Sequence, residues 1–378
     1  MGRMGYGVGN SETGRESAAN REQRRGRKDE HVDLAVAQQP HGNDFDAIDF
    51  VHDALAAVDV AEVDLRAKIG PVTWPVPFYI NGMTGGTEKT GQINRVLAIG
   101  AAAVGIPMAT GSVSVALDNP ATAASFRVIR EENPHGFVMA NIGAGRGAED
   151  AQRAVDLVEA DALQVHINAV QEIVMPEGDR EFAHWQSNIA AIVRAVEVPV
   201  IVKEVGFGLS RRTVETLREL GVAIADVGGT GGTDFAAIEN ARRKGREYAY
   251  LAGYGLSTPA CLLDAGCGRG TRAVGADGFP ILASGGIRTP FDAVKALALG
   301  ARAAGVAAQF LRLALAGEDT LVAGLNSWKK QIRALLALLG AKNPVAATET
   351  DVIIRAGLRE WCEARGIDIH PYAHRRPS

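Results

Sequence analysis

Eight short apolar runs along the chain lead into glycine, hydroxyl, amide or charged residues, and these boundaries hold the side chains best suited to chemistry. Glycine lets a ligand approach the backbone closely, while hydroxyl and amide groups can fix its orientation. One such boundary is ordinary, but eight together predict a ligand site. The boundary residues are Asn81–Gly86, Thr110–Ser112, Asn141–Gly143, His166–Asn168 with Gln171–Glu172, Lys203–Gly206, Gly228–Thr233, Ser284–Arg288 and Ala307–Gln309.

Lys203 is the most informative of these residues because it is a cation inside an otherwise apolar run. A lysine buried in a protein core is rare unless an acceptor pairs with it. One interpretation is a structural lysine paired with Glu172 or Glu204. We favour a lysine beside negative charge on a bound ligand, because glycines follow the strand ends around it.

The apolar runs predict eight β-strands, since each is too short for a helix and apolar enough to be buried on both faces. Segments of helical periodicity separate them. Ser210 is expected to cap one helix and Gly221 to end it, and Thr289 with Pro290 is expected to start another. The alternation predicts an α/β fold, a closed (β/α)8 TIM barrel, with a doubly wound open sheet as the alternative. The predicted strands are 77–80, 107–110, 137–141, 162–167, 199–203, 223–227, 280–283 and 303–307.

The remaining segments set the expected domain organisation. Residues 1–26 contain six glycines and no Leu, Ile or Phe, so we expect a flexible N-terminal extension. The barrel domain is predicted at 27–369 and a tail at 370–378. Residues 234–278 are too many for one crossover helix and are expected to hold an additional helix or a lid.

Composition excludes several classes of protein. Hydrophobic residues make up 47% and charged residues 22%, which excludes a wholly disordered or fibrous chain. The net charge of −4 gives no indication of a nucleic-acid partner. No run reaches the roughly 18 apolar residues of a membrane span, and the N-terminus lacks the apolar core of a signal peptide. Three cysteines without a CxxC pair favour reduced thiols, so we expect a cytoplasmic protein without a membrane partner.

The strand-end residues suit flavin mononucleotide (FMN). In such barrels the site lies at the carboxyl ends of the strands, and phosphate commonly binds after the seventh and eighth. Backbone N–H groups of the turns there can hold a dianion. Other strand-end groups can bond the ring edge, and Lys203 can stabilise negative charge on it. The turn residues are Gly286, Ile287, Arg288, Ala307 and Ala308, and the ring-edge candidates are Thr84, Ser112 and Asn141.

Several segments together resemble type 2 isopentenyl diphosphate isomerase. The most specific is HINAVQEIVMPEGDR at 166–180, while the glycine turns alone would fit many flavin barrels. The resemblance extends from about residue 26 to about residue 369. The other segments are RKDEH at 27–31, NGMTGG at 81–86, KEVGFGLS at 203–210, DVGGTGGTDF at 226–235 and ASGGIR at 283–288.

The resemblance implies an isopentenyl-diphosphate delta-isomerase (EC 5.3.3.2) of isoprenoid biosynthesis. Such an enzyme interconverts isopentenyl and dimethylallyl diphosphate. It requires FMN, reduced through NADPH, and Mg²⁺, and the reduced flavin is expected to act as acid and base although no net redox change occurs. The resemblance also implies a homo-oligomer, a tetramer or an octamer.

The resemblance assigns roles to individual residues. It places Gln171 at the hydrocarbon end of the substrate or in a proton relay, and Glu172 on Mg²⁺. It implies that Glu239 is a proton relay, although a glutamate on a helix surface is nearly as good an interpretation. It adds His166 to the catalytic group, Arg27, Lys28 and His31 as diphosphate ligands, and Met83, Gly85 and Thr233, rather than Thr230, as further FMN contacts.

Two alternatives and one departure remain open. Val113 and Ser114 differ from the residues that family members commonly carry, which leaves any substrate contact from that loop open. Another FMN-dependent barrel, such as a hydroxy-acid oxidase or a glutamate-synthase-like domain, is the main alternative. A flavin-storing protein without catalysis is the other, but it would have no use for Glu172, Arg27 or Lys28.

Overall fold

The computed structural model describes Gln38 and residues 42–266 and 278–376. Eight parallel strands close into a barrel in the order β10-β11-β4-β5-β6-β7-β8-β9. Each lies within or overlaps one of the eight predicted runs, so the expected (β/α)8 barrel is confirmed and the open sheet is excluded. The barrel strands are β4 (Phe78–Ile80), β5 (Met108–Ala109), β6 (Val138–Gly143), β7 (Ala162–Ile167), β8 (Val200–Glu204), β9 (Ile224–Asp226), β10 (Ile281–Ser284) and β11 (Ala303–Val306).

In the described part of the chain, four short strands lie outside the barrel. β1 (Ile48–Phe50) pairs antiparallel with β12 (Val352–Ile354), which joins the two ends of the described chain. β2 (Ala67–Ile69) and β3 (Val72–Trp74) form a hairpin. The hairpin covers the amino ends of the strands, where the buried Trp74 packs edge-on against Tyr79 with ring centroids 5.4 Å apart. The opposite end of the barrel is therefore left for a ligand.

Helices surround the barrel, and their ends follow local sequence signals. Ser210 and Thr289 accept hydrogen bonds from the third residue of the helices that they cap, as expected, and Asp292 completes a capping box with Thr289. The helices are α1 (Glu88–Val104), α2 (Ser114–Asp118), α3 (Ala124–Glu132), α4 (Ala148–Leu157), α5 (Ala169–Val174), α6 (Trp185–Ala195), α7 (Arg211–Glu219), α8 (Phe235–Arg242), α9 (Thr258–Asp264), α10 (Pro290–Ala298), α11 (Ala308–Leu315), α12 (Glu318–Leu338) and α13 (Ala356–Ala364).

The segment between β9 and β10, described except for residues 267–277, holds the two α-helices α8 and α9 in its described part, in agreement with the additional helix expected there. The C-terminal residues continue the packed structure beyond 369. Tyr372 is fully buried, and Arg375 donates to the carbonyl of Ala298 at 2.7 Å. The predicted extension at 1–26 lies outside the described residues. Within the described ranges, no helix combines the length and apolar character needed to cross a membrane.

Candidate active site

A cavity of about 630 Å³ opens at the carboxyl ends of the barrel strands. Most of the residues singled out from the sequence line it, although they come from all eight strand ends. Because parallel strands end at one rim of a barrel, residues distant in sequence converge there. The predicted residues on its wall are Met83, Thr84, Ser112, Asn141, His166, Gln171, Glu172, Lys203, Thr233, Gly286, Ile287, Arg288, Ala307 and Ala308.

Of the predicted site residues that the structure describes, Gly85 and Glu239 do not line the cavity. A Cβ atom on Gly85 would lie 2.1 Å from a ring carbon of Phe126, so this glycine permits helix packing behind the wall. Glu239 is fully buried behind Gln171. The interpretation of Glu239 as a glutamate on a helix surface is therefore wrong. Thr233 lies on the wall, as expected, whereas the backbone N–H of Thr230 donates to the carbonyl of Leu256.

Gln171 is held at both ends of its amide. Its Oε1 accepts from Asn168 Nδ2 at 3.0 Å, and its Nε2 donates to Glu239 Oε1 at 2.9 Å. Asn168 also caps α5, so the residue that begins this helix fixes Gln171 as well. Arg242 donates to Glu239 Oε2 at 2.5 Å and pairs with Glu177 at 2.8 Å. Burial opposes the charge of Arg242, but the hydrogen bonds to Glu177 and Glu239 give a net rise in its pKa.

Glu172 is next in the chain and has different surroundings. It lines the cavity, and its Oε2 accepts from the backbone N–H of Asp179 at 2.8 Å. Gly178 makes this loop possible, because a Cβ atom there would lie 2.0 Å from the carbonyl oxygen of Glu172. Among the described residues, no group of three or more His, Cys, Asp or Glu side chains forms a metal cluster. Mg²⁺ needs only one or two carboxylates when phosphate oxygens complete its shell, so a single glutamate fits that role.

His166 is connected to the barrel interior through amides. Its Nδ1 lies 2.9 Å from Asn141 Oδ1, and Asn141 Nδ2 donates to Gln164 Oε1 at 3.1 Å. Since Asn141 accepts with its oxygen, the imidazole donates from Nδ1. His166 and Asn141, both predicted site residues, are therefore in direct contact. Their spacing in the sequence could not have predicted this contact.

Lys203 is 4% exposed. It pairs with the carboxylate of neither Glu172 nor Glu204, the two partners expected for a purely structural lysine. Its Nζ lies 3.8 Å from Asp226 Oδ2 and donates to the backbone carbonyl of Glu204 at 3.0 Å. The carboxylate of Glu204 instead accepts from the backbone N–H groups of Phe207 and Gly208. Burial is the main reason that the pKa of Glu204 rises to about 8, and these hydrogen bonds oppose that rise.

The turns after β9 and β10 meet backbone to backbone, and we call Gly229, Gly231, Gly285 and Gly286 the glycine cup. A Cβ atom on Gly285 would lie 2.0 Å from the carbonyl oxygen of Gly229. Gly285 and Gly286 have φ of 88° and 75°, which side chains disfavour. Asn43 Nδ2 donates to the carbonyls of Gly286 at 2.7 Å and Gly231 at 3.4 Å. Sequence reasoning missed Asn43, which lies nearly 190 residues before its nearer partner in the chain.

Arg288 lies on the wall, but its donors are engaged by carboxylates. Its backbone N–H and its Nε donate to Asp292 at 3.0 and 3.1 Å, and its Nη1 donates to Asp46 at 2.9 Å. These hydrogen bonds raise the pKa of Arg288 well above its ordinary value. The residue thus joins the N-terminal segment to α10, and its FMN contact stays a prediction.

Two buried hydroxyls indicate that the cavity is built for a polar ligand. Thr84 Oγ1 and Thr110 Oγ1 are buried and have no hydrogen-bond partner within the described part of the chain. Both residues line the cavity. A buried polar group without a partner is costly, so an acceptor or donor on a ligand is the expected partner. Thr110 was noted at its strand end but not among the predicted contacts.

The N-terminal segment also reaches the cavity. Gln38 lines it and exchanges two hydrogen bonds with the backbone of Asp234, each 2.9 Å long. Arg27, Lys28 and His31 lie outside the described residues. Ser114, which differs from the residue that family members commonly carry, also lines the cavity. Its hydroxyl accepts a hydrogen bond from the Ser112 hydroxyl at 3.1 Å.

The residues present fit FMN. A phosphate suits the turns after β10 and β11, where the backbone of Gly286, Ala307 and Ala308 lines the cavity without large side chains. The ring edge suits the unpartnered hydroxyls of Thr84 and Thr110, and Lys203 offers a cation on the same wall. The volume lies within the usual range for a cofactor site.

Comparison with known proteins agrees with this chemistry. Residues 116–354 match the family model of FMN-dependent dehydrogenase. The chain is 52% identical over 356 residues to the isopentenyl-diphosphate delta-isomerase of Streptomyces sp. (strain CL190), covering 93% of this chain and 96% of that protein. It is 46% identical over 346 residues to the same enzyme of Latilactobacillus sakei subsp. sakei (strain 23K), covering 91% and 97%.

The chain belongs to the FMN-dependent, type 2 isopentenyl-diphosphate delta-isomerase family. The family and the enzyme class expected from the sequence, EC 5.3.3.2, are thereby confirmed. The family model also supports the expected FMN.

Solved structures of lower identity share the fold. A mandelate oxidase variant with 2-hydroxy-phenylacetamide superposes with a TM-score of 0.60 at 17% identity, covering 89% of this chain and 98% of that one. A flavocytochrome b2 variant with benzoylformate gives 0.59 at 19% identity, covering 84% and 77%. At such identities the likeness concerns the barrel alone.

Proposed function

We propose that this chain interconverts isopentenyl diphosphate and dimethylallyl diphosphate, with FMN in its reduced state and with Mg²⁺. The single observation that carries the proposal is the Gln171–Glu239 contact at the wall of an FMN-sized cavity. An isomerisation that moves a double bond must take a proton from one carbon and give one to another. A buried carboxylate joined to a cavity-wall amide suits a reaction of that kind.

Gln171 positions the hydrocarbon end of the substrate in this proposal. Its amide is fixed by Asn168 and Glu239, so it can present a defined face to the reacting carbons without a change of rotamer. Glu239 is the proposed proton relay, and its Oε1 accepts from the Gln171 amide. Arg242 favours the ionised carboxylate by its charge, because it donates to the other oxygen.

His166 is the third residue of the proposed catalytic group. Its Nδ1 is committed to Asn141, which fixes the orientation of the ring at the cavity wall. The flavin, when reduced with NADPH, supplies acid and base chemistry next to the substrate. Met83, Ser112, Asn141, Lys203 and Thr233 are proposed to hold it at the ring, and the turns at Gly286–Arg288 and Ala307–Ala308 at the phosphate.

The diphosphate is proposed to bind Arg27, Lys28 and His31, with Mg²⁺ between its oxygens and Glu172. Gln38 supports this arrangement because it lies on the cavity wall, seven residues after His31 in the chain. Guanidinium and ammonium groups suit a multiply charged anion. A cytoplasmic location and a homo-oligomeric state, a tetramer or an octamer, stay predictions.

The test is product analysis after anaerobic incubation with isopentenyl diphosphate, FMN and Mg²⁺. Turnover is expected once dithionite or NADPH has reduced the flavin, with NADPH needed only in catalytic amount. No turnover is expected with oxidised FMN. Consumption of one NADPH for each product would overturn the proposal in favour of an oxidoreductase, and FMN binding without any product would indicate flavin storage.

A further inference from the structure

Four buried polar side chains form a network under the cavity. We call Tyr79, Lys203, Asp226 and Ser284 the floor network. Asp226 and Tyr79 are fully buried, whereas Lys203 and Ser284 also line the cavity. The network thus connects a carboxylate remote from solvent to a cation at the ligand site.

Asp226 receives hydrogen bonds at both oxygens. Its Oδ1 accepts from the backbone N–H and the hydroxyl of Ser284, at 3.1 and 2.7 Å, and its Oδ2 accepts from the Tyr79 hydroxyl. Accepting at both oxygens is the pattern of an ionised carboxylate. Burial and the Asp226 charge raise the pKa of Tyr79 well above its ordinary value, so the phenol remains a neutral donor.

Lys203 is the positive member of the pair. Besides its 3.8 Å approach to Asp226, its Nζ donates to Ser284 Oγ at 3.4 Å, and that hydroxyl donates onward to Asp226. The charges are therefore joined both directly and through Ser284. Of the adjacent titratable side chains, His166 bonds to Asn141, and Glu204 bonds to the backbone of Phe207 and Gly208 while its charge also interacts with that of Lys203.

We propose that Asp226 is a positioning residue that keeps Lys203 a charged ammonium at the cavity floor, which makes FMN bound above it easier to reduce. A lysine buried without a counter-ion tends to lose its proton, because desolvation disfavours the charged form. A positive charge beside the ring favours the negative charge that reduction adds. The inference rests on the FMN site of the proposed function, but not on isomerase activity.

The first test is the two-electron midpoint potential of bound FMN in Asp226→Asn, Lys203→Met and the double variant. Each single change is expected to weaken binding of reduced relative to oxidised FMN about tenfold, equivalent to a fall of about 30 mV. In the Lys203→Met background, Asp226→Asn should cause no further fall. An unchanged or higher potential in Asp226→Asn, or an equal fall in both backgrounds, would overturn the proposal.

Tyr79→Phe is the matched control. It removes one hydrogen bond to Asp226 but no charge, so the potential should stay at that of the unaltered protein. A fall as large as that of Asp226→Asn would show that any damage to the network lowers the potential, which would overturn the role assigned to the Asp226 charge.

The second test needs no flavin. In FMN-free protein with ¹³C-labelled lysine, the ε-carbon signal missing from Lys203→Met identifies Lys203. At pH 8 the chemical shift of this carbon should be that of an ammonium in the unaltered protein and that of a neutral amine in Asp226→Asn. Should Asp226→Asn not fold, Ser284→Ala breaks the hydrogen-bonded link and should increase the neutral fraction. An ammonium in every folded variant would overturn the inference. Because the measurement uses FMN-free protein, this result can be told apart from a failure of FMN binding, and with it of the proposed function.

Discussion

Gln171 and Glu172 are neighbours in the chain, but their side chains have separate partners. Gln171 is fixed between Asn168 and Glu239, whereas Glu172 bonds to the backbone of Asp179. The resemblance in the sequence predicted both as site residues. It could not predict the contact with Glu239, because 68 residues separate the two partners and only closure of the barrel brings them together.

Gln171→Ala should lower kcat by roughly a hundredfold and raise KM much less, because the lost amide is the one proposed to contact the reacting end of the substrate. Glu172→Gln should raise KM and the Mg²⁺ concentration for half-maximal rate. Steady-state kinetics at several Mg²⁺ concentrations, with FMN affinity as the control, separate the two. Loss of FMN affinity in both variants would contradict the separate roles.

Glu204 should make the stability of the protein depend on pH. Its folded-state pKa is raised from 4.5 to about 8, so the folded state binds an extra proton between these values, and its contribution to stability is full below pH 4.5 and is lost as pH rises from 4.5 through 8. At about 1.4 kcal/mol per pH unit, the full difference is roughly 5 kcal/mol. Glu204→Gln keeps an acceptor for Phe207 and Gly208, and should remove much of this dependence.

Equilibrium unfolding in urea at pH 5 and pH 9 measures the effect of Glu204. The free energy of unfolding should fall less between these pH values in Glu204→Gln than in the unaltered protein. Glu219→Gln, at an exposed position of α7, is the control and should leave the difference unchanged. Equal pH dependence in all three proteins would mean that Glu204 is ionised in the fold at much lower pH.

At the scale of elements, the glycine cup depends on conformation and on space. Gly285→Ala combines a φ of 88° with a Cβ atom 2.0 Å from the carbonyl oxygen of Gly229. The turns after β9 and β10 must then separate, so FMN affinity should fall at least about tenfold. Isothermal titration of the FMN-free protein measures it.

Gly317→Ala is the control for this prediction. Gly317 has a φ of 117°, but no atom lies within 4 Å of a Cβ added there. It should cost about 1–2 kcal/mol of stability from backbone strain and leave FMN affinity unchanged. Equal loss of affinity in both variants would mean that general destabilisation, not the shape of the cup, determines binding.

The elements themselves were largely predictable from the sequence. Short apolar runs predicted all eight barrel strands, and Thr289 with Pro290 predicted the start of α10, because such signals act over a few residues. The packing role of Gly85 against Phe126 was not predictable. A glycine that accommodates a ligand and one that accommodates an aromatic ring have the same appearance in a sequence.

At the scale of the whole molecule, the N-terminal segment is expected to complete the diphosphate site. His31 precedes Gln38 by seven residues, which can span up to about 25 Å. Arg27→Ala should therefore raise KM for isopentenyl diphosphate roughly tenfold to a hundredfold with little change in kcat. Deletion of residues 2–26 is the control and should leave KM unchanged. An unchanged KM in Arg27→Ala would assign Arg27 to a solvated surface.

The pairing of β1 with β12 has a consequence for the order in which the protein can be assembled on the ribosome. β1 needs Val352–Ile354 as its partner, and the turn that follows Asn43 leads directly into β1. β1 is synthesised about 300 residues before β12, which is a delay of about 15–60 s at usual elongation rates. Until β11 is synthesised the nascent chain has no closed barrel, and until β12 is synthesised it has no paired β1 to hold Asn43 over the glycine cup. Capture of the flavin is thus expected to follow the synthesis of β12 rather than precede it.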